Sequence, residues 1–265
     1  MKVRRKMRFF HNIKKYQGYA IYAAKAQLKS EVAASYLNWI WWILEPLLTM
    51  MIYILVFGYI FQASEPNYTV FLFLGILMWN FFSGVVKSSI SVVKNNRSII
   101  SRVYVPKYIL LISLMYQYAF KFAFGMLIEF FMMLVFQIKF SLQMLSAIPF
   151  FMGFFLFAFS CSSILIHFGV YVYDLTYVVG IVLNFVMFLS GVFYSIEGRI
   201  PGVYGKIAGQ VNPVAFFISS MRDILIYDKA PSYIGFLIWC MISVILSSIG
   251  IELIHKNENN YAKVI

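Results

Sequence analysis

The chain has 265 residues, of which 62% are hydrophobic, 20% aromatic and only 12% charged. Water-soluble domains carry about a quarter charged residues, so a chain this apolar must expose much of its surface to lipid. Its length leaves no room for a large soluble domain besides the membrane domain, and residues 1–265 are predicted to form one domain. The formal charge of +12 does not indicate nucleic-acid binding, because the basic residues do not lie on a polar domain.

Residues 9–35 have the pattern of an amphipathic helix that lies in the membrane surface. Apolar residues recur there at spacings of three and four, with Lys and Gln elsewhere. The apolar positions are Phe9, Phe10, Ile13, Tyr16, Ala20, Ala24, Leu28 and Val32.

Six later stretches are long enough to cross a hydrocarbon core of about 30 Å, which takes about 20 helical residues. They lie at 37–61, 68–92, 108–138, 143–170, 175–196 and 232–254. Because these stretches lack the period-two alternation of a transmembrane β-barrel, we predict an all-α integral membrane protein with six transmembrane helices.

The positions of Lys and Arg predict that both termini lie in the cytoplasm. Nine of these residues fall in residues 1–36, four in 94–107 and two in the C-terminal tail, against five in the segments on the opposite side. Cytoplasmic segments next to membrane spans carry an excess of Lys and Arg.

The first predicted span carries one polar and aromatic stripe. Its members follow one another at steps of three or four residues and are Asn38, Trp42, Glu45, Thr49 and Tyr53. A carboxylate inside a membrane costs a few kcal/mol unless it faces a partner or water. Glu45 is therefore a functional candidate, with a structural bond to a neighbouring helix as the alternative.

The fifth predicted span has a broad face of small, amide and phenol side chains, namely Tyr177, Gly180, Asn184, Gly191 and Tyr194. Such residues suit close helix packing, and they also suit a wall that contacts sugar rings. In the third span, Lys121 and Glu129 lie two turns apart. Each is expected to find a partner on another helix, in either a structural or a functional role.

Between the last two spans, residues 197–231 contain four glycines at helical spacing and three prolines among apolar patches. The segment is too apolar for a free loop and too interrupted for a full span. A short re-entrant or surface helical hairpin is predicted.

Enzymatic chemistry is poorly supported. The three histidines are scattered, and no metal-binding spacing occurs. The one Gly-Lys pair, Gly205-Lys206, is followed by Ile207, so a phosphate-binding Walker motif is absent. We expect the chain to bind neither ATP nor another cofactor by itself.

Several stretches carry a family resemblance: Ser35 to Phe61 with Trp42 and Glu45-Pro46, Tyr68 to Phe82, Asn95 to Lys107, Asn212-Pro213, Met221-Arg222-Asp223 and Ile251 to Ile265. Together they resemble permeases of the ABC-2 polysaccharide and teichoic acid export family. One departure is Leu37-Asn38 after Ser35, where these permeases commonly have Leu-Gly.

The resemblance implies a homodimer of six-span subunits, paired with two copies of a separate ABC ATPase that binds ATP and Mg. It implies a bacterial cytoplasmic membrane, with a lipid-linked polymer as cargo. Wall teichoic acid is the leading expectation, and O-antigen or capsular polysaccharide is the alternative. Residues 9–35 are expected to touch the ATPase, and 197–231 to shape the outer exit.

Roles for particular residues follow from the same resemblance. Residues 94–107 are implied to form the coupling helix, with Asn96, Arg97, Ser98, Arg102, Val103 and Tyr104 at the contact with the ATPase. The channel at the dimer interface is implied to involve Asn38, Trp42, Glu45, Thr49, Tyr177, Asn184 and Tyr194. Lys14, Lys15, Lys25 and Lys29 are candidates for contact with the pyrophosphate of a lipid carrier or, equally well, with anionic lipids.

Two other classes compete. A secondary transporter or channel would work without an ATPase and is expected to show inverted repeats, which are not apparent in the sequence. A membrane-embedded glycosyl or acyl transferase is disfavoured by the shortage of paired acids and histidines.

Overall fold

The computed structural model describes residues 2–33, 36–63, 65–200 and 202–264, with the side chains of 2–10, 259 and 262–264 left out, so that Phe9 and Phe10 lie outside the described side chains. The described ranges are helical and contain no strand, which confirms the predicted all-α class. The α-helices are α1 Lys2–Val32, α2 Trp41–Tyr53, α3 Tyr68–Asn95, α4 Arg97–Ile100, α5 Lys107–Val135, α6 Ala147–Tyr171, α7 Leu175–Leu189, α8 Ile196–Arg199, α9 Val203–Val211, α10 Pro213–Leu225 and α11 Tyr233–Val264. Short 3₁₀ segments at Asn38–Ile40 and Leu142–Ser146 precede α2 and α6, and a π-helical segment at Ile54–Ile60 follows α2.

Five described helical segments are long and apolar enough to cross a membrane. They are Asn38–Ile60, Tyr68–Asn95, Lys107–Val135, Leu142–Tyr171 and Tyr233–Glu258. The remaining predicted span, 175–196, contains the shorter apolar helix α7 of 15 residues, about 22 Å long at 1.5 Å per residue. The chain turns at Gly191, whose φ of +63° is a left-handed conformation that glycine adopts without strain.

Helix α3 lies at the centre of the bundle. Of its 28 residues, 18 are buried, including the continuous run from Val70 to Trp79. A helix that is apolar on all sides must be enclosed by other helices, and α3 packs against α2, α5, α6 and α7.

Helices α6 and α11 form the most extensive helix pair, and small residues let them approach closely. A Cβ atom on Gly250 would lie 2.0 Å from the Ser163 Oγ, and one on Gly153 would lie 3.2 Å from the Cys240 Sγ. Close helix pairs in membranes commonly use Gly and Ser at the contact because these residues allow dispersion contacts along the whole pair.

The bundle has two chemically different ends. One end, which we call the basic end, contains the C-terminal ends of α3, α6 and α11 together with α4 and the start of α5. Tyr104 contacts Glu258 there, and His167 contacts Tyr261. The opposite end, called the hairpin end, is built from α8, α9 and α10 with residues 65–67 and 190–195. The predicted hairpin at 197–231 thus contains three short helices.

Candidate coupling and translocation surfaces

The predicted coupling residues lie together on the surface of the basic end. α4 is a single turn, and the chain after it is irregular up to Pro106. Five of the six residues are exposed: Arg97, Ser98, Arg102, Val103 and Tyr104. The sixth, Asn96, is half-buried, and its amide donates to the carbonyl of Val92 at 2.8 Å. The segment therefore offers two cations and a tyrosine to any protein that contacts this end.

Glu258, near the end of α11, connects this segment to the bundle. One carboxylate oxygen accepts from the backbone N–H of Lys107 and the other from the Tyr104 hydroxyl, both at 3.3 Å. The first N–H groups of a helix have no partner within the helix, and a carboxylate is favourable there. Sequence reasoning missed Glu258, because 151 residues separate it from Lys107.

A second polar contact at the basic end involves Tyr261. Its hydroxyl lies 2.8 Å from His167 Nδ1 on α6. The Tyr261 side chain is fully buried, and burial raises the pKa of its phenol. The protonated hydroxyl therefore remains available to join the ends of α6 and α11 at neutral pH.

Helix α1 presents opposite faces to the bundle and to its surroundings. The apolar row predicted from the sequence is buried at Ala20, Ala24, Leu28 and Val32. The Asn12 amide donates to the Tyr108 hydroxyl at 2.8 Å, which joins α1 to the start of α5. The four candidate lipid-contact residues are all exposed: Lys14, Lys15, Lys25 and Lys29.

The far end of α1 is fixed to α5 by an ion pair. The Lys121 ammonium lies 2.6 Å from the Glu31 carboxylate, which also accepts from the Gln117 amide at 2.5 Å. Lys121 thus has the partner on another helix that the sequence predicts. Glu129 differs, since it is fully buried and neither carboxylate oxygen has a hydrogen-bond partner within the described part of the chain.

The predicted stripe on the first span divides in the structure. Glu45 is exposed and Thr49 is half-buried, whereas the Trp42 ring packs 5.7 Å from the Phe120 ring on α5. Asn38 lies in the 3₁₀ segment before α2 with a φ of +50°, so it does not share the helical register of Trp42. The α2 residues other than Met50 remain at least partly accessible, so this helix packs with only a small part of its surface.

Helix α7 is similarly open, with Leu183 as its only buried residue. Tyr177 is 75% exposed, Asn184 is exposed, and a Cβ on Gly180 would meet no atom within 4 Å. These residues share one face of the helix. Tyr194 lies beyond it, where its hydroxyl donates to the Phe188 carbonyl at 2.5 Å.

At the hairpin end, Arg222 of α10 donates to three backbone carbonyls. Its Nε bonds Phe71 at 3.1 Å, and its two terminal nitrogens bond Gly191 and Val192 at 2.7 Å each. We call this arrangement the Arg222 clamp. It joins the hairpin to the start of α3 and to the turn after α7. A Cβ on Gly75 would lie 2.4 Å from the guanidinium, so the clamp needs glycine there.

Asn212 fixes the start of α10. Its side-chain oxygen accepts from the N–H groups of Val214 and Ala215, and Pro213 occupies the first helical position. The Asn212 amide also donates to the Ser190 hydroxyl at 3.0 Å. The Asn-Pro pair therefore both begins the helix and attaches it to the turn after α7.

Comparison with known proteins assigns these features to a family. The family model described as ABC-2 type transporter matches residues 22–226. Two O-antigen export system permease proteins RfbA of Klebsiella pneumoniae are 26% and 25% identical over 239 residues, which are 90% of this chain and 91% of each relative. The RfbA protein of Myxococcus xanthus is 30% identical over 104 residues, 39% of this chain and 40% of that relative. Because the family match covers most of the chain, including α2 to α10, the protein belongs to the ABC-2 type transporter family.

Proposed function

We propose that this chain is the membrane subunit of an ABC exporter that moves a lipid-linked polysaccharide across the bacterial cytoplasmic membrane. The similarity to O-antigen export permeases over 90% of the chain carries this proposal. It favours a polysaccharide of the O-antigen type over the wall teichoic acid that leads among the sequence-based expectations. Both cargoes are polymers on a lipid carrier, so the proposed mechanism is the same for either.

A separate ABC ATPase supplies the energy in this proposal. The chain has no Walker motif of its own, so ATP and Mg bind to the partner. The ATPase binds residues 94–107 and contacts α1. Movement of the ATPase reaches α5 and α11 through Glu258. Its carboxylate, on α11, bonds Tyr104 in the coupling segment and the N–H of Lys107 at the start of α5.

Two copies of the chain enclose the channel between them. α2 and α7 bury one residue each, and a bare helix in a membrane contacts either lipid or another subunit. The open face of Tyr177, Gly180 and Asn184 on α7 presents a phenol and an amide, which are groups that contact sugars. Glu45 on α2 is the corresponding acidic candidate, because its exposed carboxylate needs water, cargo or a partner helix.

The basic end faces the cytoplasm in this arrangement, in agreement with the positive-inside distribution. Lys14, Lys15, Lys25 and Lys29 then lie exposed at the inner membrane surface, where they contact anionic lipid or the pyrophosphate of the carrier.

The test is co-purification with the ABC ATPase encoded beside this chain, together with deletion of the chain in its host. We expect the two proteins to form a complex, ATP hydrolysis to depend on the permease, and surface polysaccharide to disappear on deletion. A permease that transports without an ATPase would support the secondary-transporter alternative and overturn the proposal.

A further inference from the structure

A cavity of about 370 Å³ lies at the hairpin end, between the hairpin and the bundle. Its walls come from residues 65–66, the turn after α7, α9, α10 and residues 227–232. The volume falls in the range of about 300–1,000 Å³ that is typical of small-molecule sites. Tyr194, one of the residues predicted to line the channel, also lines this cavity, but no step proposed above uses the cavity itself.

Several groups of the lining both donate and accept hydrogen bonds. Hydroxyls and an amide come from Ser195, Ser219, Ser232, Tyr227 and Gln210. A hydroxyl offers one donor and two acceptor positions, and an amide offers both kinds of group. Apolar surface is present as well, from Ile196, Ala215 and Phe216.

The charges of the lining cancel. Glu65, Glu197 and Asp223 carry three negative charges, and Lys206, Lys229 and Arg222 carry three positive ones. A site for pyrophosphate or another anion needs an excess of cations, and a site for a lipid tail needs apolar walls. A cavity with zero formal charge, many hydroxyls and some apolar surface matches neither, but it matches a neutral carbohydrate with its hydroxyl groups and apolar C–H faces.

The cavity also lies beside the helices that we assign to the channel. Residues 65–66 follow the π-helical end of the first span, and the turn at 190–195 follows α7. The Arg222 clamp holds this turn against α3, so the wall is fixed to the bundle. In the proposed arrangement, cargo that leaves between α2 and α7 emerges next to residues 65–66 and the turn at 190–195, which line the cavity.

We infer that this cavity is a binding site for a short neutral stretch of sugar units of the exported polymer. The inference rests on the proposed function and adds a site at the exit, within one subunit, to the channel between subunits. Sugar bound in this cavity opposes backward movement of the polymer between successive rounds of ATP hydrolysis.

The test uses cysteine protection in living cells. Ser219→Cys places a thiol on an exposed residue of the lining, and Val203→Cys places one on α9, where Val203 is 69% exposed and does not line the cavity. Both are made with Cys161 and Cys240 replaced by Ala, after export is confirmed. A membrane-impermeant maleimide is added to cells that export the polymer and to cells blocked at the first sugar transfer.

We expect Ser219→Cys to react at least threefold more slowly in exporting cells, and Val203→Cys to react equally in both. Equal rates at Ser219→Cys overturn the inference. Equal slowing at both positions also overturns it, because the change then belongs to the whole hairpin. Absence of any reaction at Ser219→Cys in blocked cells contradicts an outward-facing cavity.

A second variant tests the consequence for transport. Ser219→Trp fills the cavity and is expected to lower surface polymer at least fivefold with normal amounts of the complex, whereas Val203→Trp leaves export unchanged. Normal export by Ser219→Trp overturns the inference.

The deletion strain separates this site from the proposed function. If surface polymer persists without the protein, the proposed function is wrong. If surface polymer disappears on deletion while Ser219→Cys is unprotected, only the proposed site is wrong.

Discussion

Arg222 shows how one side chain determines the geometry of the hairpin end. Arg222 is 4% exposed, and its guanidinium donates to carbonyls on α3 and on the turn after α7. Its planar fork reaches several acceptors at once, which a lysine ammonium does not reproduce. A buried carbonyl left without a donor costs about 1–3 kcal/mol. Arg222 therefore stabilises the hairpin end by joining α10 to α3 and to the turn after α7.

The space for the Arg222 clamp is tested by Gly75→Ala. Its new methyl group would lie 2.4 Å from the guanidinium and 2.7 Å from the Val192 carbonyl. We expect destabilisation by about 1–3 kcal/mol, the usual cost of overpacking, seen as a lower unfolding temperature in detergent. Gly180→Ala is the matched control, because a Cβ there meets no atom within 4 Å. Equal unfolding temperatures for the two variants would contradict the clamp.

Glu258 is tested by Glu258→Gln, which keeps the size of the side chain but replaces one acceptor oxygen by a donor. The Lys107 N–H and the Tyr104 hydroxyl then meet a neutral amide instead of a carboxylate, and hydrogen bonds to a charged acceptor are about twice as strong as neutral ones. We expect polysaccharide export to fall severalfold while ATP hydrolysis by the complex continues. Glu252→Gln, which affects a surface pair with Lys256 worth about 0.2–1 kcal/mol, is expected to export normally. Normal export by Glu258→Gln would remove the proposed role of this residue.

At the scale of elements, the segment around α4 is predicted to bind the ATPase. Arg97→Ala, Arg102→Ala and Tyr104→Ala alter exposed side chains, so the permease is expected to fold and assemble. Export per ATP hydrolysed is expected to fall at least fivefold in reconstituted vesicles, because these side chains are proposed to contact the ATPase. Unchanged coupling in all three variants would refute the assignment.

The α6–α11 pair is tested by Gly250→Leu. Even the first side-chain atom would lie 2.0 Å from the Ser163 Oγ, and the remaining atoms need space that the pair does not have. Thermal unfolding is expected to show a loss of about 1–3 kcal/mol or failure to accumulate. Ile249→Ala, at a neighbouring residue that is 47% exposed, is the control and is expected to change stability little. A stable Gly250→Leu protein would mean that the helices are not closely packed.

At the scale of the whole molecule, the subunit buries α3 and leaves α2 and α7 open. We expect two copies to meet at these helices, so Tyr177→Cys is predicted to form a cross-linked dimer with a short bifunctional maleimide in membranes. Ile245→Cys, also exposed but on α11, is expected to remain monomeric on denaturing gels. Cross-linking at Ile245→Cys instead would place the dimer contact on α11.

The sequence by itself determined the membrane class, the helical fold and most helix positions. The reason is local: a run of about 20 apolar residues crosses a bilayer only as a helix that satisfies its own backbone. The buried row Ala20, Ala24, Leu28 and Val32 on α1 was readable for the same reason, since helical periodicity acts over neighbouring turns.

Tertiary structure alone decided which polar residues act together. The first-span stripe reads as one face, yet Trp42 packs against α5 while Glu45 stays exposed, because neighbouring helices and not helical spacing choose the buried side. Glu258 with Lys107, and Arg222 with Gly191, are pairs from distant parts of the chain. Spacing along one helix carries no information about such pairs, since they exist only after the helices have packed.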